Sequence, residues 1–132
     1  RHIWLHEGFA CYAEWLWSEH SGGRSADEWA RHYYQRLAES PEDLLLADPG
    51  ARDMFDDRVY KRGALTLHVL RRRIGDDNFF ALLRDWTERH RHSTAVTDDF
   101  TGLASNYTND SLRQLWAAWL YSTELPALDL PS

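Results

Sequence analysis

The sequence predicts an all-α fold, an irregular array of about five to seven helices in one domain over residues 1–132. Apolar residues recur at helical spacing in several segments. Most of these segments are bounded by residues that commonly start or stop helices. No stretch of useful length alternates apolar and polar residues, as a half-buried strand would. The length of 132 residues suits one domain with its own core.

The helical segments follow one another with short connections. The first is almost entirely apolar and aromatic, contains no proline and ends at the Ser-Gly-Gly run of residues 21–23. A segment rich in Asp, Pro and Gly over residues 42–57 is expected to be a loop. The predicted helices cover residues 3–20, 25–38, 58–74, 76–90 and 97–105, with a last one beginning at 109 or 110.

Specific residues mark several helix ends. Ser25 and Glu28 have the spacing of a capping box, in which each side chain binds the backbone N–H of the other residue. Gly75 is expected to end the third helix, because glycine adopts the left-handed conformation that closes many helices. The expected N-caps of the later helices are Asp76 or Asp77, Thr97, and Asn109 or Asp110.

Composition and charge exclude several classes of function. The formal net charge of −6 argues against nucleic acid as a partner, since phosphate backbones bind basic surfaces. No apolar window reaches the roughly 18 residues of a transmembrane helix, so we expect a soluble chain with no membrane partner, in the cytoplasm or secreted. The single cysteine, Cys11, cannot form an internal disulfide and is expected to be a buried thiol.

The first helix carries two carboxylates in an apolar setting. Glu7 and Glu14 are the only acidic residues between Ile3 and Trp17, and their spacing of two helical turns places them on one face, with Cys11 between them. A helix that is apolar on all sides is expected to be buried. A buried carboxylate needs a cationic partner, a helix end or a metal ion, and these alternatives remain open at this point.

The residue order in this segment favours one of these three partners for Glu7, the metal ion. Residues 4–10, W-L-H-E-G-F-A, resemble the W-L-N-E-G-F-A segment of the aminopeptidase N family of zinc metallopeptidases, a gluzincin family. The resemblance implies that Glu7 is the third zinc ligand. It also implies that Glu14 and His6 support the site or the helix without binding zinc. His6 stands where the family usually has asparagine, which could alter the local geometry.

A second match lies downstream. Residues 60–64, Y-K-R-G-A, resemble the family's Y-x-K-G-A segment. The resemblance implies that Tyr60 donates a hydrogen bond to the oxyanion of the tetrahedral intermediate. Taken alone, Tyr60 could equally be an aromatic residue of the core at the start of a helix.

The resemblance also shows what this sequence lacks. The family's H-E-x-x-H pair, with its general-base glutamate, would lie upstream of Arg1, and the G-x-M-E-N loop that binds the substrate amine is missing. His2 and His6 have ligand-like spacing, but no glutamate follows His2, so no separate metal site is expected there. We therefore expect a fragment from the middle of a longer protein, resembling the C-terminal part of a gluzincin catalytic domain.

These observations lead to two functional hypotheses. In the first, the chain is part of a zinc aminopeptidase that acts on peptides. It partners the missing N-terminal part, is inactive and without zinc in isolation, and has an apolar face on its first helix that allows self-association. In the second, it is a helical interaction module without chemistry, because tryptophan-rich helical arrays can bind partners through apolar grooves. The hypotheses differ in whether Glu7 and Tyr60 face a common cleft.

Overall fold

A computed structural model describes residues 3–40, 46, 57–89 and 96–128. Within these ranges the chain is helical and has no strand, which confirms the predicted all-α class. The described helices are α1 (Ile3–His20), α2 (Ala26–Ala38), α3 (Asp57–Ile74), α4 (Asp76–Arg89), α5 (Thr97–Ala104), a 3-10 turn (Ser105–Tyr107) and α6 (Arg113–Trp119). Predictions that concern residues 1–2, 41–45, 47–56 or 90–95 lie outside the described residues.

The first two helices begin and end as the sequence predicts. After α1, the backbone turns at Gly22, which has a φ of 90° that most other residues avoid. The predicted capping box opens α2. The Ser25 side chain accepts from the backbone N–H of Glu28, and the Glu28 carboxylate accepts from the backbone N–H of Ser25. Such a cap stabilises a helix by about 1 kcal/mol.

Helix α3 is the centre of the fold and packs against α1, α2, α4 and α6. Most of its positions from Val59 to Ile74 are buried, including the polar residues Arg62, Thr66, His68 and Arg71. Gly75 ends it as predicted, with a φ of 89° and an N–H that donates to the Arg71 carbonyl at 2.8 Å. The central helix is therefore more polar in composition than α1, and its buried polar groups need specific partners.

Three predicted N-caps are wrong. α4 begins with Asp76 itself, whose carboxylate binds the Arg71 guanidinium at 2.9 Å instead of capping the helix. The residue before α5 is Val96, and the Thr97 hydroxyl is buried, where it accepts from the Trp4 indole N–H at 3.0 Å. α6 begins at Arg113, so Asn109 and Asp110 precede it. In the first two cases, a partner from another helix binds the side chain that was expected to cap.

Helix α1 is not buried on all sides, contrary to the prediction from its composition. One side packs into the core and includes Trp4, Tyr12 and Trp15, each at most 3% exposed. The opposite side is exposed and includes Ala10, Ala13, Trp17 and the charged Glu14. Trp17 is 69% exposed. Trp17 is therefore an exposed aromatic residue on a mixed surface of α1, and both the apolar face and self-association through it stay predictions.

Candidate catalytic site

Glu7 and Tyr60 come together from two different helices. Glu7 lies in the second turn of α1 and Tyr60 in the first turn of α3, and both side chains are partly exposed. The pKa of the Tyr60 phenol is raised above its ordinary value, first by partial desolvation and then by the Glu7 carboxylate, through its charge and through the hydrogen bond that it accepts from the phenol. The phenol is therefore a neutral hydrogen-bond donor at neutral pH.

The remaining site candidates, His6 and Glu14, lie on the same helix as Glu7. The side chains of His6 and Glu14 are both exposed on α1. Cys11, between the two glutamates in sequence, is 4% exposed and confirms the prediction of a buried thiol. Glu7 and Glu14 consequently lie in different surroundings, since only Glu7 contacts a neighbouring helix through Tyr60.

Ion pairing does not account for Glu7 in the described part of the chain. The ion pairs found there join side chains of α3 and α4 to carboxylates of α1, α2 and α4 and to Asp110. None of them includes Glu7 or Glu14. Within the described residues, the half-buried Glu7 carboxylate therefore lies beside the Tyr60 phenol without a cationic partner.

A lysine and a thiol lie next to this pair. The Lys61 ammonium lies 3.6 Å from the Cys11 sulfur and 4.3 Å from the centre of the Tyr33 ring. Burial raises the pKa of the Cys11 thiol, and the nearby Lys61 charge opposes this rise without cancelling it. Cys11 is accordingly a protonated packing residue, not a nucleophile.

The described residues do not form a complete zinc site. Among the described residues, no three His, Cys, Asp or Glu side chains are close enough to hold a metal ion. A catalytic zinc site uses three protein ligands and leaves one position for water or substrate. Glu7, as a carboxylate, is of a residue type that binds zinc. At least one further ligand of such a site would have to come from outside the described ranges.

Comparison with known proteins identifies the family. The profile described as the Peptidase family M1 domain matches residues 1–119. The chain belongs to peptidase family M1. The match includes both Glu7 and Tyr60, although it assigns no role to either residue.

Individual relatives agree with this M1 assignment. The chain is 25% identical over 141 residues to "Aminopeptidase M1" of Arabidopsis thaliana and 26% identical over 141 residues to "Aminopeptidase N" of Streptomyces lividans. Each match includes 96% of this chain and 16% of the relative. Among solved structures, it is similar to an M1 zinc metallopeptidase mutant from Deinococcus radiodurans bound to a Tyr-Ser-Ala substrate. That match has a TM-score of 0.88 and 32% identity, with 99% of this chain and 30% of the other covered.

The M1 chain thus spans about a sixth of the curated relatives that it matches and under a third of the solved structure. The relatives carry the names of aminopeptidases, and the solved structure that of a zinc metallopeptidase. Within the described ranges, no helix combines the length and apolarity that a membrane crossing requires.

Sequence reasoning missed a buried polar cluster beside the α1–α3 packing of this M1 chain. The Tyr12 hydroxyl lies 2.7 Å from His68 Nδ1, His68 Nε2 contacts the Asp27 carboxylate, and Arg71 reaches the same hydroxyl. His68 has no role among the predictions made from sequence. The signal that could have found it is its position on α3, one turn after the core residue Ala64, where a histidine needs polar partners.

Proposed function

We propose that this chain is part of the catalytic unit of a zinc-dependent aminopeptidase that releases N-terminal residues from peptides. Glu7 is one zinc ligand, and Tyr60 is the hydrogen-bond donor to the oxyanion. The observation that carries the proposal is the close packing of the two matched motifs at Gly8 and Gly63, beside which the Glu7 carboxylate raises the pKa of the Tyr60 phenol. The names of the relatives, and the peptide bound in the similar structure, support the substrate class.

The role of Tyr60 follows from its chemistry. A bound zinc ion would polarise the scissile carbonyl and activate water. A phenol is protonated at neutral pH, and the raised pKa of Tyr60 acts in the same direction, so it can donate to an oxygen that gains negative charge. Removing one donor of this kind typically raises the activation barrier by about 3 to 4 kcal/mol.

The role of Glu7 follows from its surroundings. Its carboxylate is held at the edge of the α1–α3 packing and is not paired with a described lysine or arginine. A partly buried carboxylate that has no cationic partner among the described residues is a candidate for metal binding. Because the sequence has no H-E-x-x-H segment to supply the other ligands, we expect the isolated chain to bind no catalytic zinc and to be inactive.

The alternative is a helical interaction module without chemistry. The exposed Trp17 on the apolar side of α1 favours this reading, since large exposed aromatic residues often mark binding surfaces. That reading gives no reason for a glutamate and a tyrosine to meet across two helices within matched peptidase motifs. The enzyme hypothesis explains this contact and is therefore preferred.

The experiment is a comparison of Glu7→Ala with Glu14→Ala in the full-length protein that contains this chain. Glu14 is the matched control, because it is the same residue type on the same helix but is exposed and away from Tyr60. Bound zinc is measured by metal analysis, and activity by hydrolysis of an N-terminal aminoacyl amide. We expect Glu7→Ala to lose zinc and activity together, while Glu14→Ala keeps its zinc. Equal zinc content in the two variants would refute the ligand role of Glu7.

A further inference from the structure

Helices α1 and α3 touch through the backbones of two glycines. A Cβ atom added to Gly8 would lie 3.0 Å from both Cα and the carbonyl carbon of Gly63. A Cβ atom added to Gly63 would lie 2.9 Å from Cα of Gly8 and 3.3 Å from the carbonyl oxygen of Trp4. Carbon atoms in normal contact are about 3.5 to 4.0 Å apart. Any side chain at either position would therefore push the two helices apart.

Space, not backbone conformation, requires glycine at these two positions. The described glycines with positive φ are Gly22 and Gly75, so Gly8 and Gly63 have ordinary helical backbones. The obstructing atoms at both positions belong to backbone, which cannot swing aside as the end of a flexible side chain can. On either side of the contact, Trp4 and Ala64 are 0% exposed, so the surrounding core also resists a shift.

The contact lies beside the candidate catalytic pair. Gly8 directly follows Glu7 in α1, and Gly63 lies one turn after Tyr60 in α3. The separation of the two helices at this point therefore sets how closely the Glu7 carboxylate and the Tyr60 hydroxyl can approach. The distance between the two side chains depends on that separation, because each belongs to one of the two helices.

We propose that Gly8 and Gly63 are positioning residues, whose backbone contact holds Tyr60 at its working distance from Glu7. This inference rests on the function proposed above and adds to it the device that sets the geometry of the site. Reacting groups must be held closely, since a displacement of about 1 Å can reduce the rate on the order of 10²-fold.

The chain supplies a matched control glycine. Gly102 lies within a helix, as Gly8 and Gly63 do, but a Cβ atom added there would meet nothing within 4 Å. Gly102→Ala therefore tests the effect of the glycine-to-alanine change itself. Leu82→Ala, a fully buried position on α4, tests the effect of lost stability without a change at the α1–α3 contact.

The experiment is a double-mutant cycle in the full-length protein. It measures kcat, KM and bound zinc for Gly63→Ala, for Tyr60→Phe and for the combination, with Gly102→Ala and Leu82→Ala as controls. We expect Gly63→Ala to lower kcat on the order of 10²-fold at a temperature where circular dichroism shows the variant folded, while both controls keep kcat. In the Gly63→Ala background, Tyr60→Phe should lower kcat by about 3-fold or less, since Tyr60 is already displaced there.

Crystal structures of zinc-free Gly63→Ala and Gly102→Ala give a readout that does not depend on activity. We expect Gly63→Ala to separate the Glu7 carboxylate from the Tyr60 hydroxyl, and Gly102→Ala to keep them in contact. An unchanged Glu7–Tyr60 distance in Gly63→Ala, or an undiminished effect of Tyr60→Phe in that background, would overturn the inference. Gly8→Ala provides a second variant. If Gly8→Ala and Gly63→Ala both failed to fold, the contact would serve folding alone, and the inference would be wrong.

Failure of the proposed function gives a different result. If Tyr60→Phe alone leaves kcat unchanged, the catalytic role of Tyr60 is refuted, while the crystallographic distance still tests the positioning claim. If Tyr60→Phe instead lowers kcat by the same factor in the wild-type and the Gly63→Ala backgrounds, the catalytic role stands and the positioning claim is wrong.

Discussion

The hydroxyl of Tyr12 lies 2.7 Å from Nδ1 of His68, and this buried contact joins α1 to α3. Arg71 donates to the same hydroxyl oxygen at 3.4 Å, so the phenol proton is available for Nδ1. Nε2 of His68 then carries the ring proton and donates it to Asp27. With a neutral imidazole, both ring nitrogens of His68 therefore have a hydrogen-bond partner. Burial lowers the pKa of His68, and the charges of Arg71 and Arg72 act in the same direction, against Asp27.

This neutral histidine predicts a pH dependence of stability. The unfolded chain binds a proton on His68 near pH 6.5, whereas the folded chain binds it only at lower pH. Between these values the unfolded state holds more protons, so the free energy of unfolding falls as pH decreases below about 6.5, by at most about 1.4 kcal/mol per pH unit. Urea unfolding from pH 7.5 to 5 measures this slope.

The variant His68→Gln should have a smaller slope in this range, because the proton-binding difference at this position disappears. His32→Gln is the control, since the His32 side chain is exposed on α2, and it should keep the wild-type slope. An unchanged slope in His68→Gln would contradict a neutral His68 in the folded chain.

Arg62 predicts a large loss of stability on substitution. It is 4% exposed, and its guanidinium donates to five backbone carbonyls at and after the end of α6. These belong to Ala118, Trp119, Ser122, Thr123 and Glu124. Lysine has three donors on one nitrogen and cannot reach all five. Arg62→Lys should therefore lower the free energy of unfolding by about 2 to 4 kcal/mol.

Thermal and urea unfolding measure this loss against Arg84→Lys, an exposed arginine on α4 that should change stability little. Equal stability of the two variants would show that water replaces the guanidinium at these carbonyls.

Gly75 and Gly102 predict opposite effects of the same substitution. A Cβ atom added at either position would meet nothing within 4 Å, so packing does not distinguish them. Gly75 has a φ of 89°, where alanine is strained, and Gly75→Ala should destabilise the fold by about 1 to 2 kcal/mol. Gly102 lies in α5 with an ordinary helical backbone, and Gly102→Ala should stabilise the fold by up to about 1 kcal/mol. Urea unfolding of both variants should give opposite signs, and a common sign would contradict the backbone argument.

Local signals were sufficient for much of the fold. The Ser25–Glu28 capping box and the left-handed Gly75 depend on residues next to one another in sequence, and the structure has both. Thr97 was wrongly predicted as an N-cap because its partner is the indole of Trp4, on a distant helix. Hydroxyl groups that can cap can also bind any donor that tertiary packing brings near, and sequence does not show that choice.

In the candidate site, too, the local sequence indicates single residues, whereas tertiary packing decides which of them meet. The matched motifs indicated Glu7 and Tyr60 separately, but their contact depends on how α1 crosses α3. Gly8 and Gly63 belong to the two matched segments, but nothing in the local sequence indicates that their backbones meet. The composition of α1 also did not predict that Trp17 is exposed, because an apolar helix can face either the core or a surface.

The most direct test of a shared catalytic site is the kinetics of Tyr60→Phe in the zinc-loaded full-length protein, with Tyr107→Phe as control because that phenol binds Asp85 on α4 and lies outside the proposed site. We predict that Tyr60→Phe keeps its zinc and nearly its KM but loses on the order of 10²- to 10³-fold in kcat. Tyr107→Phe should keep all three quantities. A Tyr60→Phe enzyme with wild-type kcat would contradict the claim that Tyr60 and Glu7 serve one catalytic site.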